Sequence, residues 1–339
     1  MSPQTLHPAP QRMHPSEVLF QGKHRPVTLP VCDHYAGSEK LMRKSLALQQ
    51  ELGPVLDLTF DCEDGAAVGN EAAHARLIGE LIAGAENQFD RIGVRVHDVG
   101  SPYFEQDVAT LCALAARRLA YLVIPKIDSR DQLEAAVALV SRHASAAGRP
   151  DLPLHVLIET HRALHQVWEI AEHPAVECLS FGIMDFVSAH YGGIPSDAML
   201  SPGQFSHPLI SRAKLEISAA CHANGKVPSH NVCTEIRDLS VVASDATLAS
   251  RQFGYQRMWS IHPDQIRHIL AAFAPEAGEI EDATAILSAA KDKDWGPIQH
   301  KSKLHDRASY RYFWSLLKKA HNMSRPIPAQ ATESFFNPL

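Results

Sequence analysis

Residues 154–186, LHVLIETHRALHQVWEIAEHPAVECLSFGIMDF, decide the fold. They open on a short, mainly apolar run, Leu154–Ile158, continue through a helix-period segment, 160–172, and end in a second mainly apolar run, 178–181. A short apolar run, a helical pattern and another apolar run are typical of a strand, helix and strand with the two strands parallel. This stretch therefore predicts one β/α/β unit.

The same alternation runs along most of the chain and predicts eight strands. It favours a single (β/α)8 barrel, a fold of about 250 residues. A doubly wound sheet is the competitor, but no glycine-rich phosphate-binding loop follows any predicted strand. The other six predicted strands are 26–31, 55–60, 92–96, 121–124, 226–228 and 257–261. The other predicted helices are 39–52, 71–82, 104–117, 130–143, 209–223 and 235–249, with a further helix at 279–290.

Composition limits the class of protein. The 339 residues are 45% hydrophobic and 21% charged, which excludes a disordered chain and a small disulfide scaffold. No apolar run approaches the roughly 18 residues that span a bilayer, and the first thirty residues do not resemble a targeting segment. We expect a soluble, cytoplasmic protein. Its six cysteines form no C-x-x-C pair, which favours reduced thiols. The predicted organisation is a loosely ordered segment at 1–22, a barrel at 23–275 and a C-terminal helical extension at 276–339.

Polar side chains follow the predicted strands, where the catalytic groups of a (β/α)8 barrel lie. Glu159 and Asp185 follow neighbouring strands, so their carboxylates are placed to hold a hard cation through oxygen ligands. This favours Mg²⁺, or Mn²⁺ in its place, over zinc, which prefers His and Cys ligands. The other groups expected at this rim are Asp33, His34, Asp61, Glu63, Asp64, Arg95, His97, Lys126, His230, Asn231 and His262.

Six short strings carry a resemblance to a known family. In order they are DCEDGA at 61–66, VRV at 94–96, IPKI at 124–127, IETHRAL at 158–164, FGIMDF at 181–186 and IHPDQI at 261–266. Together they resemble the CoA-ester lyases related to the citrate lyase beta subunit, within the HpcH/HpaI aldolase superfamily. The resemblance spans roughly residues 26–290.

The resemblance implies a fold, an activity and an assembly. The fold is a (β/α)8 barrel that uses a divalent metal, usually Mg²⁺. The activity is reversible cleavage of a β-hydroxyacyl-CoA, such as malyl-CoA or citramalyl-CoA, into an acyl-CoA and glyoxylate or pyruvate. The assembly is a homotrimer or hexamer in which a C-terminal segment covers the active site of the neighbouring subunit.

The resemblance also assigns roles to individual residues. The metal-binding pair falls on Glu159 and Asp185, and the substrate arginine falls on Arg95. Glu63 and Asp64 match the acids that organise the waters of the metal and the arginine. Asp306 lies in the string nearest to the late catalytic aspartate of the family, a poor match, and is the candidate acid/base.

The contacts to CoA are less well marked. Where family members carry F-V-P-G after the first strand, this chain has LPVCDHYAG at 29–37. Lys40, Arg43 and Lys44, on the first predicted helix, are candidates for the CoA phosphates, although a solvated helix face is the commoner explanation for such a run. Lys126 either supports the site or reaches the ligand.

The chain has a net charge of −6, but one of its segments is strongly basic. Residues 291–325 hold nine Lys/Arg and three acids, a local balance of +6, together with several aromatic residues. A nucleic-acid arm would not need these aromatic residues. We expect instead that the segment docks on an acidic surface of a neighbouring subunit and carries Asp306 to its active site, with neither nucleic acid nor membrane as a partner.

Three alternatives remain. The first is a metal-dependent aldolase that acts on free hydroxy-keto acids. The second is a malyl-CoA thioesterase or a malate-synthase-like enzyme. The third is not an independent enzyme at all, but an acyl-carrier-protein-dependent citrate lyase subunit or an inactive binding module.

Overall fold

The computed structural model describes residues 14–20 and 26–337. No helix within these two ranges is long and apolar enough to cross a membrane. The strands are β1 (Cys32–Ala36), β2 (Leu56–Asp61), β3 (Ile92–Arg95), β4 (Leu119–Ile124), β5 (Leu154–Ile158), β6 (Val176–Phe181), β7 (Val227–His230), β8 (Arg257–Ser260), β9 (Ile298–His300) and β10 (Lys303–His305). The helices are α1 (Pro15–Val18), α2 (Glu39–Leu52), α3 (Glu71–Ala83), α4 (Phe104–Ala115), α5 (Arg130–Ala146), α6 (His161–His165), α7 (Val167–Glu172), α8 (Ile183–Ser188), α9 (Gly203–Ser206), α10 (Pro208–Ala223), α11 (Leu239–Arg251), α12 (Pro263–Phe273), α13 (Ala277–Asp292), α14 (Arg307–Asn322) and α15 (Ala329–Phe335).

The chain divides into two compact units. Among the described residues, 26–273 form the barrel unit, and 14–20 with 274–337 form the terminal unit. In the barrel unit β1 to β8 pair in sequence order, all parallel, and β1 also pairs with β8 to close the barrel. This confirms the (β/α)8 barrel. Parallel strands buried on both sides read as near-continuous apolar runs, which is why the sequence marks most of them clearly.

The first strand was predicted in the wrong place. The prediction was 26–31, whereas β1 is Cys32–Ala36. Asp33 and His34 are therefore buried strand residues and do not follow the strand. Asp33 is tolerated inside the barrel because Arg257 Nη2 lies 2.9 Å from its Oδ2 and Thr59 Oγ1 donates to its Oδ1 at 2.7 Å. A buried charge of this kind requires such partners.

Helix boundaries also differ in places. The predicted helix at 160–172 is two short helices, α6 and α7, that meet at Gln166. The predicted helix at 235–249 begins later, at Leu239, where the Asp238 side chain accepts a hydrogen bond from the Ser240 N–H and caps α11. A side-chain acceptor at this position satisfies one of the free N–H groups of the first helical turn.

The terminal unit has its own hydrophobic core. Tyr310, Trp314 and Leu317 of the basic segment are buried in this core with side chains of α13 and α15. The aromatic residues of the segment thus stabilise the unit that contains them. The exposed exception is Tyr312, at 59%.

The terminal segments are more ordered than predicted where the structure describes them. At the C-terminal end, α15 buries Phe335. In the segment 1–22, Val18 and Leu19 join the same core, and His14 Nε2 bonds to the Phe335 carbonyl at 2.8 Å. Residues 1–13, 21 and 22 lie outside the described residues. Apolar contacts between segments distant in sequence explain this order.

Candidate active site

The carboxyl ends of five neighbouring strands bring the central residues of the site together. Asp61 is the last residue of β2 and pairs in register with Arg95, the last residue of β3. Lys126 comes two residues after β4, and Glu159 directly after β5. Asp185 lies in the first turn of α8, just beyond β6. This arrangement matches the rim at which barrel enzymes place their catalytic groups.

Arg95 is held by two acids of the β2 end. Its Nε and Nη2 donate to the two Asp61 oxygens at 2.8 and 2.5 Å, and its Nη1 lies 3.0 Å from Glu63 Oε2. Asp61 also accepts hydrogen bonds from the backbone N–H groups of Glu63 and Gly65. A guanidinium has five N–H groups, so two remain on Arg95 for another partner. The arginine is therefore both paired with protein acids and able to bind an anion.

Glu63 connects the arginine to a lysine. Lys126 Nζ donates to Glu63 Oε1 at 2.6 Å and lies 3.5 Å from Asp64 Oδ2. Burial lowers the pKa of Lys126, but the hydrogen bond and charge of Glu63 more than offset this effect and leave it above the ordinary value. Lys126 adopts a left-handed backbone conformation, φ 53°, which is strained for a residue with a side chain. The chain thus holds this ammonium beside Glu63 at the catalytic rim.

Glu159 has the least satisfied carboxylate of the site. Its side chain is buried, and neither oxygen has a hydrogen-bond partner among residues 14–20 and 26–337. Burial raises the pKa of Glu159 to about 8, and the negative charges of Asp185 and Glu63 add to this rise. An unpartnered buried carboxylate is costly in free energy unless a cation or a proton compensates it.

Gly182 makes room for this carboxylate. A Cβ built on Gly182 would lie 2.3 Å from Glu159 Cγ, much closer than real Cβ contacts. The residue that follows β6 must therefore be glycine if Glu159 is to keep its position. The sequence shows this glycine in the string FGIMDF at 181–186, but the contact across strands appears only in the fold.

Replacing Gly182 with alanine should weaken divalent-metal binding because the new methyl group pushes Glu159 aside. We expect the metal concentration for half-maximal activity to rise by about 10–100-fold, as for other changes behind a metal ligand. Gly278→Ala is the control, since a Cβ there meets nothing within 4 Å. Unchanged metal dependence in the Gly182 variant would show that Glu159 is not a ligand.

The residues present fit a hard divalent cation. Glu159 and Asp185 supply carboxylate oxygens, the ligand type that Mg²⁺ and Mn²⁺ prefer. Within the described part of the chain, no three or more His, Cys, Asp and Glu side chains are grouped to hold a metal ion. Mg²⁺ does not need such a group, because it commonly takes one or two carboxylates and keeps water and substrate oxygens as its other ligands.

The remaining predicted residues lie on α2 and in the terminal unit. On α2, Lys40, Arg43 and Lys44 are exposed, and Arg43 pairs with Glu39 at 2.9 Å and Glu86 at 3.3 Å. Asp306 belongs to the terminal unit and caps α14, where it accepts the Ala308 N–H at 2.9 Å. Its role as acid/base stays a prediction, as do the CoA contacts.

Two aromatic side chains of the barrel interior escaped the sequence analysis. Tyr35 stacks on Trp259 with ring centroids 4.1 Å apart, and its ring centre lies 5.6 Å from the Arg95 guanidinium. The Tyr35 hydroxyl and the Trp259 Nε1 are buried without a hydrogen-bond partner among the described residues. Tyr35 was missed because β1 was misplaced, although an aromatic residue within a run of buried strand residues was available as a signal.

Cys62 lies between the acids of the β2 end but is not a candidate nucleophile. It is buried, and burial raises the pKa of its thiol well above the ordinary value. The reactive form of cysteine is the thiolate, which this environment disfavours. All six cysteines are buried and free.

Comparison with known proteins agrees with the geometry. The family HpcH/HpaI aldolase/citrate lyase matches residues 53–263, more than half of the chain. The chain is 29% identical over 281 residues to an L-malyl-CoA/beta-methylmalyl-CoA lyase of Cereibacter sphaeroides, covering 79% of this chain and 88% of that protein. A crystal structure of a citrate lyase from Burkholderia xenovorans LB400 is 55% identical, with a TM-score of 0.84 over 95% of this chain and 100% of the other.

A third comparison, with the CitE protein of Mycobacterium tuberculosis, is more distant. That protein was solved in complex with magnesium, acetoacetate and coenzyme A; it is 18% identical, with a TM-score of 0.66 over 87% of this chain and 99% of that one. This likeness supports the fold. By the family match, the close structural relative and the geometry of its rim, the chain belongs to the HpcH/HpaI aldolase/citrate lyase family.

Proposed function

We propose that this protein is a metal-dependent carbon–carbon lyase that reversibly cleaves a β-hydroxyacyl-CoA, such as malyl-CoA or citramalyl-CoA, into an acyl-CoA and glyoxylate or pyruvate. The observation that carries the proposal is the buried carboxylate of Glu159, which has no hydrogen-bond partner in the described part of the chain. It lies next to Asp185, at the same rim as an arginine with two free donors. Similarity to a malyl-CoA lyase supports the substrate class.

Glu159 and Asp185 are the residues that would hold the cation, for which Mg²⁺ is the first choice and Mn²⁺ the second. When bound, a divalent cation supplies Lewis-acid polarisation of the hydroxyl and carboxylate oxygens of a 2-hydroxy acid moiety, worth several kcal/mol. The magnesium in the CitE protein of M. tuberculosis supports this choice.

Arg95 binds and orients the part of the substrate that becomes the 2-oxo acid. Its two remaining N–H groups offer a planar pair of donors to a carboxylate, and such charge-assisted bonds are stronger than neutral ones. Asp61 and Glu63 fix the guanidinium in place before substrate arrives. A donor already in position lowers the barrier because it does not have to reorganise as charge develops.

Cleavage breaks the bond between the carbon that carries the hydroxyl group and the carbon next to the thioester carbonyl. The hydroxyl gives its proton to the acid/base residue and becomes the keto oxygen, and the bonding pair remains on the thioester fragment as an enolate. The enolate carbon then takes a proton to give the acyl-CoA. Asp306 is the proposed acid/base for this proton, delivered by the terminal unit of a neighbouring subunit in a homotrimer or hexamer.

Trans delivery can be tested with two inactive variants. Asp185→Asn and Asp306→Asn should each be inactive alone, but subunit exchange between them should restore part of the activity. Each mixed oligomer would then contain some sites with an intact Asp185 and an intact Asp306 from the neighbour. Full activity of Asp306→Asn alone, or a strictly monomeric mass by light scattering, would contradict this part of the proposal.

CoA needs positive charge near the rim, and the exposed Lys40, Arg43 and Lys44 of α2 are the proposed contacts. Against this assignment, Arg43 is already paired with Glu39 and Glu86. That pairing, together with the altered stretch at 29–37, keeps a second candidate: a metal-dependent aldolase that acts on free hydroxy-keto acids and uses the same Glu159, Asp185 and Arg95.

A panel of condensations separates the candidates. The protein is incubated with Mg²⁺, with glyoxylate or pyruvate, and with a series of acyl-CoAs, and products are followed by mass. We expect a β-hydroxyacyl-CoA from at least one pair, and none in EDTA or with Asp185→Asn. Turnover of free 4-hydroxy-2-oxoacids without any thioester product would favour the aldolase instead.

A further inference from the structure

A cavity of about 300 Å³ opens at the N-terminal end of the barrel, where the strands begin. The rim with Glu159 and Asp185 lies at the other end, where the strands finish. In (β/α)8 enzymes the N-terminal end does not carry the chemistry, so this cavity is separate from the candidate active site. Charged side chains dominate its wall, four arginines and three acids: Asp57, Asp90, Arg91, Arg117, Arg118, Arg149 and Glu177.

The acids of this cavity already have cationic or imidazole partners. Asp57 Oδ2 lies 2.5 Å from Arg257 Nη1, and the Arg257 side chain is fully buried behind the wall. Glu177 lies 3.2 Å from His155 Nε2. Asp57 and Glu177 therefore each have a cationic or imidazole neighbour within the protein, although Asp57 Oδ1 is buried without a hydrogen-bond partner among the described residues.

The arginines are not satisfied to the same extent. Arg117 has no hydrogen-bond or ion-pair partner for its guanidinium in the described ranges 14–20 and 26–337. Arg91 is 39% exposed and has one contact, with its Nη1 3.6 Å from Asp57 Oδ1, beyond hydrogen-bond distance. Several guanidinium donors thus remain available on one concave surface.

The other two arginines, Arg118 and Arg149, form hydrogen bonds that hold the wall of the cavity in place. Arg118 is 2.8 Å from Asp90 and donates to the carbonyls of Ala83 and Gly84. Arg149 Nη1 donates to the carbonyls of Ala116 and Leu119, each at 3.1 Å, and the Nη2 of Arg149 remains available to another partner. These bonds link the turns before β3, β4 and β5 to one another, so the cavity wall is in place before a ligand binds.

We propose that this cavity is a binding site for a small anion that carries phosphate or carboxylate groups. Guanidinium forks match the geometry of both groups and bind them through paired hydrogen bonds. The volume lies at the lower end of the range for ligand pockets, which favours a small ligand over a nucleotide or CoA. The site is independent of the proposed lyase reaction.

Calorimetric titration with pyrophosphate and, separately, with the tricarboxylate tricarballylate tests the site and distinguishes its two possible anion types. The protein is kept in EDTA so that no cation can hold either probe at the other rim. We expect saturable binding of at least one probe. Arg117→Met should weaken it by at least about tenfold, and Arg117→Lys by less, since lysine keeps the charge but loses the fork.

Two further variants control for position. Arg311→Met removes an exposed arginine from the terminal unit and should leave the affinity unchanged, as should Glu159→Gln at the other end of the barrel. Thermal unfolding of each variant checks that the fold is intact. Absence of saturable binding at millimolar anion, or equal affinity in wild type and Arg117→Met, would overturn the proposal; loss of binding in Glu159→Gln would place the anion at the other rim and overturn it too.

Discussion

Replacing Glu159 with glutamine is expected to make the metal-free protein more stable and, at the same time, inactive. The wild-type carboxylate is buried and lacks a hydrogen-bond partner among the described residues, so its charge is poorly compensated. Glutamine has nearly the same shape and no charge. Because an unsatisfied buried polar group costs about 1–3 kcal/mol, and a charged one more, we expect the free energy of unfolding at pH 8–9 to rise by at least that range.

The raised pKa of Glu159 determines how the stability of the metal-free protein changes with pH. The pKa of Glu159 is raised from 4.5 to about 8 in the folded protein, so folding favours the protonated form. Metal-free wild type should therefore lose stability as pH rises from about 4.5 to 8, and the advantage of the glutamine variant should grow over the same range and level off above it. Urea unfolding in EDTA at several pH values measures this difference.

Activity and metal binding should decrease in the glutamine variant, whereas its stability should increase. We expect Glu159→Gln to lower metal-dependent turnover by at least about a thousandfold, since a neutral amide is a poor ligand for a hard cation. Mg²⁺ should raise the unfolding temperature of wild type but not of the variant. Glu169→Gln, an exposed change of the same chemistry, is the control. A variant less stable than wild type at every pH would refute the uncompensated-charge interpretation.

Replacing Arg95 with lysine should cost about 100- to 1,000-fold in kcat/KM, close to the effect of removing one donor from an oxyanion hole. Lysine keeps the positive charge but cannot contact both Asp61 oxygens, Glu63 and a substrate carboxylate at once, as five guanidinium donors can. Initial rates over a range of substrate concentrations measure the loss.

If the role of Arg95 were only structural, its replacement would change stability rather than kcat/KM. If Arg95 only neutralised Asp61 and Glu63, its lysine variant would be destabilised in urea while keeping its kcat/KM within about tenfold of wild type. The matched control is Arg142→Lys, at an exposed pair with Glu105, where we expect little change in either quantity. Loss of kcat/KM in Arg95→Lys without loss of stability supports the substrate contact.

Much of the fold could be predicted from the sequence because most of its strands are buried on both faces. Runs such as Leu154–Ile158 are apolar except at His155, and the acids that follow β5 and β6 stand out against them. Glu159 and Asp185 were found this way, and the negative charge of Asp185 contributes to the raised pKa of Glu159.

The first strand resisted prediction for a physical reason. Its sequence, CDHYA, is partly polar, and its burial depends on Arg257, which lies more than 200 residues later in the chain. Local periodicity contains no information about such a partner. Tyr35, whose ring centre lies 5.6 Å from the Arg95 guanidinium, was missed together with that strand.

The terminal residues illustrate the same limit. Proline-rich ends suggest loose chain, yet Phe335 is buried against Trp314, with ring centroids 6.1 Å apart. The aromatic residues of the basic segment were interpreted as a docking surface, whereas most of them form the core of their own unit. Composition indicated that these aromatic residues pack against protein, but it could not show which surface they cover.

The most direct test of the proposed function is the cleavage of malyl-CoA and citramalyl-CoA, with acyl-CoA, 2-oxo acid and free CoA thiol measured in the same reaction. The account predicts equal amounts of acyl-CoA and 2-oxo acid from at least one of the two substrates, with Mg²⁺ present, no free thiol, and no products in EDTA or with Asp185→Asn. Free thiol with malate as the other product, or full activity of Asp185→Asn, would contradict it.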